Sequence, residues 1–145
     1  MPLLWVLILV TLSITFMFNS EQAIQDRNAS VTDVTVASES MLVYRNAVAK
    51  YSYSNPAFVG RVPDTLLSFP SWYIKSPNLS NYISGGTSYS FYVGSLPGLA
   101  GELAHQTGSI NVGTNQNGVL LAPNIANSGI VLPAQIPLGS VVLIQ

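Results

Sequence analysis

The hydrophobic residues between positions 34 and 51 recur at helical spacing. Intervals of three and four residues separate them, so they share one face of an α-helix. Glu39 and Lys50 lie off this stripe, as expected if the opposite face meets water. Such a stripe is typical of core packing or of a coiled-coil seam through which the helix self-associates, and contact with a partner protein is the alternative. The stripe consists of Val34, Ala37, Met41, Tyr44, Val48 and Tyr51.

The first twenty residues contain no charged side chain. A helix of that length spans roughly 30 Å, which matches the hydrocarbon core of a bilayer. We therefore expect an uncleaved transmembrane anchor over residues 1–20. A cleaved signal peptide, which normally begins with basic residues, and a buried core helix are the alternatives. The anchor residues are Leu3, Leu4, Trp5, Val6, Leu7, Ile8, Leu9, Val10, Leu12, Ile14, Phe16 and Phe18.

The charges that follow this segment indicate an orientation. Lys and Arg accumulate at the cytoplasmic end of a membrane span. Only the terminal amine precedes the span, and Glu21 and Asp26 accompany Arg27 after it. We expect a single-pass protein with a cytoplasmic N-terminus and an exported body.

The amino-acid composition of the sequence changes after Asn55. All eleven glycines and eight of the nine prolines follow this residue, and Pro56 ends the preceding helix. Asn117–Gly118 supplies the positive φ angles of a tight hairpin turn. A short helix is predicted between Ser95, as its cap, and Gly108. Strands are predicted at residues 72–74, 88–93, 109–112, 119–121, 130–132 and 141–144.

Together these patterns predict an α+β fold. A transmembrane helix is extended by an amphipathic helix, and a small antiparallel-sheet domain with one short helix follows. The predicted divisions are an anchor at 1–20, a helical stalk that packs on the body at 21–55, and the exported α+β body at 56–145.

Composition excludes several classes of function. Charged residues make up 8% of the chain, against about 25% in an average soluble domain. The net charge of -1 leaves no basic surface for nucleic acid. With no cysteine in the chain, thiolate metal sites and cysteine nucleophiles are excluded.

The search for catalytic groups yields one weak candidate. His105 is the single histidine, and Glu102, one helical turn before it, and Ser109 are its best candidate partners for catalysis. Three polar groups in so short a window rarely form a catalytic triad, and a surface histidine that ends a short helix is the simpler interpretation. We expect neither an enzyme nor a bound cofactor or metal.

A cluster of aromatic residues is the best candidate for recognition. Phe69, Trp72 and Tyr73 lie close together in a serine-rich background. Aromatic side chains dominate interface hot spots, but they also fill small cores. Both interpretations remain open for this cluster.

Four segments carry a likeness to a known family: Met1–Leu9, Tyr44–Tyr51 with Asn55–Pro56, Pro70–Trp72 and Leu132–Leu143. In these segments and in their order, the chain resembles the PilM family of the enterobacterial type IVb thin pilus, which IncI-type conjugative plasmids encode. The likeness covers essentially the whole chain and rests on the order of its features. It implies a plasmid-encoded inner-membrane component of the pilus assembly apparatus or basal body, with a periplasmic body. Other assembly proteins, pilin and the lipid bilayer are the implied partners, and the implied role is in pilin transport and conjugation-associated pili.

A minor pilin-like subunit of the filament is the alternative function. Pilins also join an apolar N-terminal helix to an α+β head. Prepilins carry a basic leader before the apolar segment and an acidic residue near its start. Here Trp5 occupies the early apolar segment, and the first acidic residue is Glu21. These departures favour an anchored assembly component.

Overall fold

A computed structural model of the chain describes residues 2–123, 125 and 128–145, and side chains before residue 30 only at Val6 and Ile8. The chain divides into two units, Met1–Asp33 and Val34–Gln145. The domain boundaries predicted after residues 20 and 55 stay predictions.

The first helix, α1, covers Pro2–Ser54. Within the described part of the chain, no helix combines the length and apolar character needed to cross a bilayer. The predicted transmembrane anchor is therefore not confirmed. Of the predicted anchor residues, Val6 and Ile8 have described side chains, and both are exposed. The side chains of the others lie outside the described residues: Leu3, Leu4, Trp5, Leu7, Leu9, Val10, Leu12, Ile14, Phe16 and Phe18.

The C-terminal part of α1 belongs to the second unit and contributes to its core. Asn55 closes the last turn, because its backbone N–H and its Nδ2 each donate to the carbonyl oxygen of Tyr51 at 3.0 Å. The helix thus ends before Pro56, as predicted. Along the predicted stripe, Met41, Tyr44 and Val48 are fully buried, whereas Val34, Ala37 and Tyr51 are half-buried.

Five antiparallel strands form one sheet, which confirms the predicted α+β class. Their spatial order is β1-β2-β5-β3-β4, so the last strand along the chain lies at the centre. A second helix, α2, covers Leu99–Thr107 between β2 and β3. The strands are β1 Leu79–Ser84, β2 Thr87–Tyr92, β3 Val112–Gln116, β4 Val119–Leu121 and β5 Val141–Ile144.

Two-residue turns connect both hairpins of the sheet. Gly85 and Gly86 join β1 to β2 with φ angles of 60° and 78°. Asn117 and Gly118 join β3 to β4 with φ angles of 53° and 81°, as their sequence predicts. Positive φ at both positions gives the twist that tightly paired strands require.

Hydrophobic side chains form a cluster on each face of the sheet. The larger cluster includes residues of α1 and α2 and extends to Val62 and Leu67, which follow α1. Its sheet residues are Leu79, Ile83, Val112, Val141 and Leu143. The smaller cluster lies on the opposite face and consists of Phe91, Leu120, Leu132, Ile136 and Val142.

Three strand predictions differ from the structure. Residues 72–74 form no strand, because Tyr73 N–H bonds the Pro70 carbonyl in a turn instead of a neighbouring strand. The predicted strand at 109–112 is shifted to Val112–Gln116, since the tight turn pairs Gln116 with Val119. Residues 130–132 contribute one isolated bridge, between Val131 and Val119.

The start of α2 also differs from its prediction. The helix begins after Gly98, which has a φ of 91° and provides no side-chain cap, so Ser95 is not the cap. The predicted end is confirmed, because Gly108 adopts a left-handed conformation and its N–H donates to the Ala104 carbonyl.

Replacement of Gly113 by Ala should destabilise the second unit. A Cβ atom there would overlap the carbonyl oxygen of Leu121 and lie 2.9 Å from the Ala122 nitrogen. Because backbone atoms move little, we expect a loss of about 1–3 kcal/mol in the free energy of unfolding, measured by urea denaturation of the full chain in detergent.

Gly101→Ala is the matched control for Gly113→Ala. Gly101 lies inside α2, and an added Cβ meets no atom within 4 Å. This change should stabilise the chain by roughly 0.5–1 kcal/mol through helix propensity. Equal effects of the two substitutions would contradict the close backbone approach at Gly113.

Candidate docking surface

The connecting segment, residues 56–78, links α1 to β1 and contains the predicted recognition aromatics. A short 3-10 helix at Asp64–Leu66 begins its middle part. Lys75 Nζ lies 2.6 Å from Asp64 Oδ2, and this ion pair brings the two ends of residues 64–75 together. The same ammonium lies 5.3 Å from the centroid of the Tyr44 ring, a cation–π distance. These contacts hold the segment against α1.

A row of aromatic rings continues this attachment. The ring of Tyr44 stacks on Phe69 with centroids 5.8 Å apart, and Phe69 meets Tyr73 at 4.9 Å. Tyr73 in turn contacts Trp72 edge-on at 6.2 Å. Offset and edge-on pairs of this kind stabilise beyond the area they bury. The row runs from the buried core to the surface.

The hydroxyl of Tyr73 fixes the outer end of the connecting segment. It donates to the carbonyl oxygen of Ser40 at 3.0 Å and lies 3.1 Å from Ser40 Oγ. Burial raises the pKa of Tyr73, while the Ser40 hydrogen bond opposes the rise. The phenol thus remains a neutral donor to α1.

Asn81 in β1 bonds both to the connecting segment and to α1. Its Oδ1 accepts from Val62 N–H at 2.8 Å, and its Nδ2 donates to the Val62 carbonyl at 3.0 Å. Nδ2 also donates to the Tyr44 hydroxyl at 2.6 Å. Because Asn81 is buried, loss of its carboxamide would leave buried polar groups unpaired.

Tyr44 lies between this carboxamide and the ion pair. Its hydroxyl donates to Asp64 Oδ1 at 3.4 Å. Burial raises the pKa of Tyr44, the Asn81 hydrogen bond opposes the rise and the Asp64 carboxylate adds to it, so that the pKa is about 12. The hydroxyl therefore keeps its proton at neutral pH and can donate to Asp64.

The three predicted recognition aromatics have different environments. Phe69 and Tyr73 are half-buried and pack against the larger cluster. Trp72 is 70% exposed, and the nearby Ile74 is 89% exposed. We call Trp72 and Ile74 the exposed pair. The arrangement presents two large apolar side chains on a segment that α1 and β1 hold in place.

Sequence reasoning assigned no role to Asn81 or Lys75. The alternation of Leu79, Asn81 and Ile83 along one face would have indicated a buried asparagine in an unrecognised strand. The ion pair between Lys75 and Asp64 has no signal in the local sequence, since the two residues meet only when the connecting segment folds back.

The candidate catalytic partners of His105, Glu102 and Ser109, form hydrogen bonds with other groups. His105 is exposed on α2. Glu102 accepts instead from Gln106 Nε2 at 2.7 Å, and Ser109 Oγ accepts from Asn111 N–H at 3.1 Å. Among the described residues, no three His, Asp or Glu side chains are grouped to hold a metal ion.

A groove of about 990 Å³ lies between the start of α2 and the β3–β4 end of the sheet. Its described lining carries no charged or titratable side chain, so it offers shape but no acid–base chemistry. The lining includes Leu96, Pro97, Ala100, Leu121, Ile125 and Leu138.

Comparison with known proteins gives one consistent result. The family model PilM matches residues 7–144, which confirms the resemblance seen in the sequence. A crystal structure titled as a PilM protein from Escherichia coli B7A has a TM-score of 0.60 and 28% identity, and the match covers 79% of this chain and 93% of that one. A second crystal structure, titled as a PilM protein from Pseudomonas aeruginosa 2192, has a TM-score of 0.52 and 37% identity. This match covers 78% of this chain and 95% of that one. A search of the curated proteins finds no match.

Asn81→Ala should destabilise the chain far more than Ser90→Ala. The two residues face each other across β1 and β2, and both are buried. Asn81 makes three hydrogen bonds, whereas Ser90 Oγ has no partner in the described structure.

For Asn81→Ala we expect a loss of about 2–4 kcal/mol in unfolding free energy, because buried partners become unpaired. Ser90→Ala should change it by less than about 0.5 kcal/mol or increase it, since it removes an unsatisfied hydroxyl. Urea denaturation of both full-length variants measures the difference, and similar losses would contradict the assigned bonding.

Proposed function

Because the chain belongs to the PilM family, we propose that it is a protein–protein docking component of a type IV thin pilus assembly apparatus or basal body. In this proposal it binds other assembly proteins, and pilin itself, during pilin transport and the biogenesis of conjugation-associated pili. The match of the family model to residues 7–144 carries the proposal.

The exposed pair supports a docking role. Trp72 and Ile74 are among the most exposed of the large hydrophobic side chains that the structure describes. Their segment is already ordered by the Asp64–Lys75 ion pair and by Tyr73. Binding through a preordered segment loses little conformational entropy, which favours affinity. Tryptophan is also among the residues most often found at interface hot spots.

The helical stripe is less suited to this role. Met41, Tyr44 and Val48 are fully buried in the body and therefore cannot also form a seam with a second helix. We assign partner contacts to the exposed pair, not to self-association through these residues.

Location at the inner membrane is part of the proposal. Its support is the sequence, in which the first twenty residues carry no charge. We propose a single-pass arrangement with a cytoplasmic N-terminus and a periplasmic body. In this arrangement the bilayer anchors the body beside the other assembly proteins.

Trp72→Ala should impair pilus formation with little loss of stability. Trp72 is 70% exposed and contacts Tyr73 edge-on, so its removal should lower the unfolding free energy by no more than about 1 kcal/mol, whereas loss of an interface anchor lowers partner affinity roughly tenfold or more. Electron microscopy should therefore show far fewer pili on cells that produce normal amounts of the variant.

Tyr53→Ala is the control for Trp72→Ala, because Tyr53 is an aromatic residue with 89% exposure outside the connecting segment. It should leave pilus number unchanged. Normal piliation with Trp72→Ala would contradict the docking surface. Abundant peptides from residues 57–145 in sheared, washed pili would instead favour the minor-pilin alternative.

The full chain should remain in the membrane fraction after a carbonate wash, and a reporter fused after Gln145 should be active in the periplasm. Leu9→Arg with Leu12→Arg should move the chain to the supernatant, because each Arg costs roughly 3 kcal/mol in a bilayer. Gln22→Arg, outside the apolar run, is the control. Release of the unsubstituted chain by the wash would overturn the anchored arrangement.

A further inference from the structure

Arg61 presents a guanidinium group without an acceptor in the described structure. Its backbone neighbours are fixed: Gly60 exchanges two hydrogen bonds of 2.9 Å with Ile83, and Val62 bonds twice to Asn81. Among the described residues, the one ion pair joins Lys75 to Asp64. Arg61 itself is exposed. An unpaired arginine is thus held on a rigid backbone at the edge of β1.

This arginine lies at a small cavity of about 330 Å³ beside β1 and β2. Val93, which is 40% exposed, supplies apolar surface beside the buried ring of Phe91. Ser80, Tyr82 and Gln135 supply hydroxyl and amide groups. No carboxylate is among the residues that line it. The remaining lining residues are Asn81 and Pro137.

We propose that this cavity receives an Asp or Glu side chain, flanked by an apolar residue, from another protein of the pilus system. The inference rests on the proposed docking function and adds the chemistry of one contact. Arginine binds carboxylate through two parallel hydrogen bonds. Apolar surface beside the guanidinium excludes water and strengthens the attraction.

The size and lining of the cavity favour a protein side chain. Its volume is at the lower end of the range of about 300–1,000 Å³ for ligand pockets. An inorganic anion would contact the guanidinium but would leave the exposed side chain of Val93 uncovered. A carboxylate on an aliphatic stem, next to an apolar residue, contacts both.

The genetic test reverses the charge of Arg61. Arg61→Glu should reduce pilus number roughly tenfold, because the introduced carboxylate repels the incoming one. Lys50→Glu is the matched control: it makes the same charge reversal at an exposed residue of α1 that does not line this cavity. An acidic-to-basic substitution in another pilus protein should restore piliation to Arg61→Glu cells.

Deletion of the coding sequence distinguishes a failure of the proposed function from a failure of the cavity assignment. If deletion leaves piliation intact, the proposed function fails. If deletion abolishes pili but Arg61→Glu cells with normal protein levels have normal pili, the cavity assignment alone fails.

A binding test covers the case in which Arg61→Glu does not accumulate. The full chain in detergent is titrated with the peptides acetyl-Leu-Glu-Leu-amide and acetyl-Leu-Gln-Leu-amide. The Glu peptide should shift the NMR signals of Tyr82 and Val93, the Gln peptide should not, and Arg61→Gln should abolish the shifts. Equal shifts with both peptides, no shifts with either, or the same shifts with sulfate alone would overturn the proposal.

Discussion

The hydrogen bonds of the buried Asn81 carboxamide are the interactions on which the packing of the rest of the body depends. It joins β1 to the backbone of Val62 and to the Tyr44 hydroxyl of α1. Through Tyr44 the connection continues to the Asp64–Lys75 ion pair and to the ring of Phe69. Because a buried polar group loses its hydration, its partners must be present in the fold. This requirement selects one position for the connecting segment, and with it the positions of the exposed pair and of Arg61.

Small side chains make this close assembly sterically feasible. Ser88 and Ser90 occupy alternate positions of β2 and are fully buried, whereas Tyr89 and Phe91 point to the other face. Ser52 of α1 donates to the Gly86 carbonyl at 3.1 Å, so the end of the helix reaches the β1–β2 turn. Larger residues at the two serine positions would occupy the space beneath α1. At the other side of the sheet, Gly113 allows the backbone of β4 to approach.

Features encoded by neighbouring residues could be predicted from the sequence. The helix end before Pro56, the Asn117–Gly118 hairpin and the strand Val141–Ile144 all have local signals, and all three occur. The strand at Leu79–Ser84 was missed because serine and asparagine favour turns and are depleted in strands. Here the hydrogen bonds of Asn81 to distant residues outweigh that preference. The position of β5 between β2 and β3 is likewise set by long-range pairing.

The candidate site was predictable only in part. The aromatic cluster was visible, but its division into packing rings and an exposed Trp72 depends on how the connecting segment turns back toward α1. Arg61 carried no signal either, because an isolated arginine is indistinguishable from an ordinary surface charge until its surroundings are known. Both features arise from contacts between residues that are far apart in the sequence.

The central position of β5 constrains when the body can fold. The β1–β2 and β3–β4 hairpins form locally, but in the sheet order each meets the other only through Val141–Ile144. Until those residues emerge from the ribosome, the two hairpins have no shared strand. The sheet thus stays open until β5 has been synthesised, and contacts this distant in sequence slow folding.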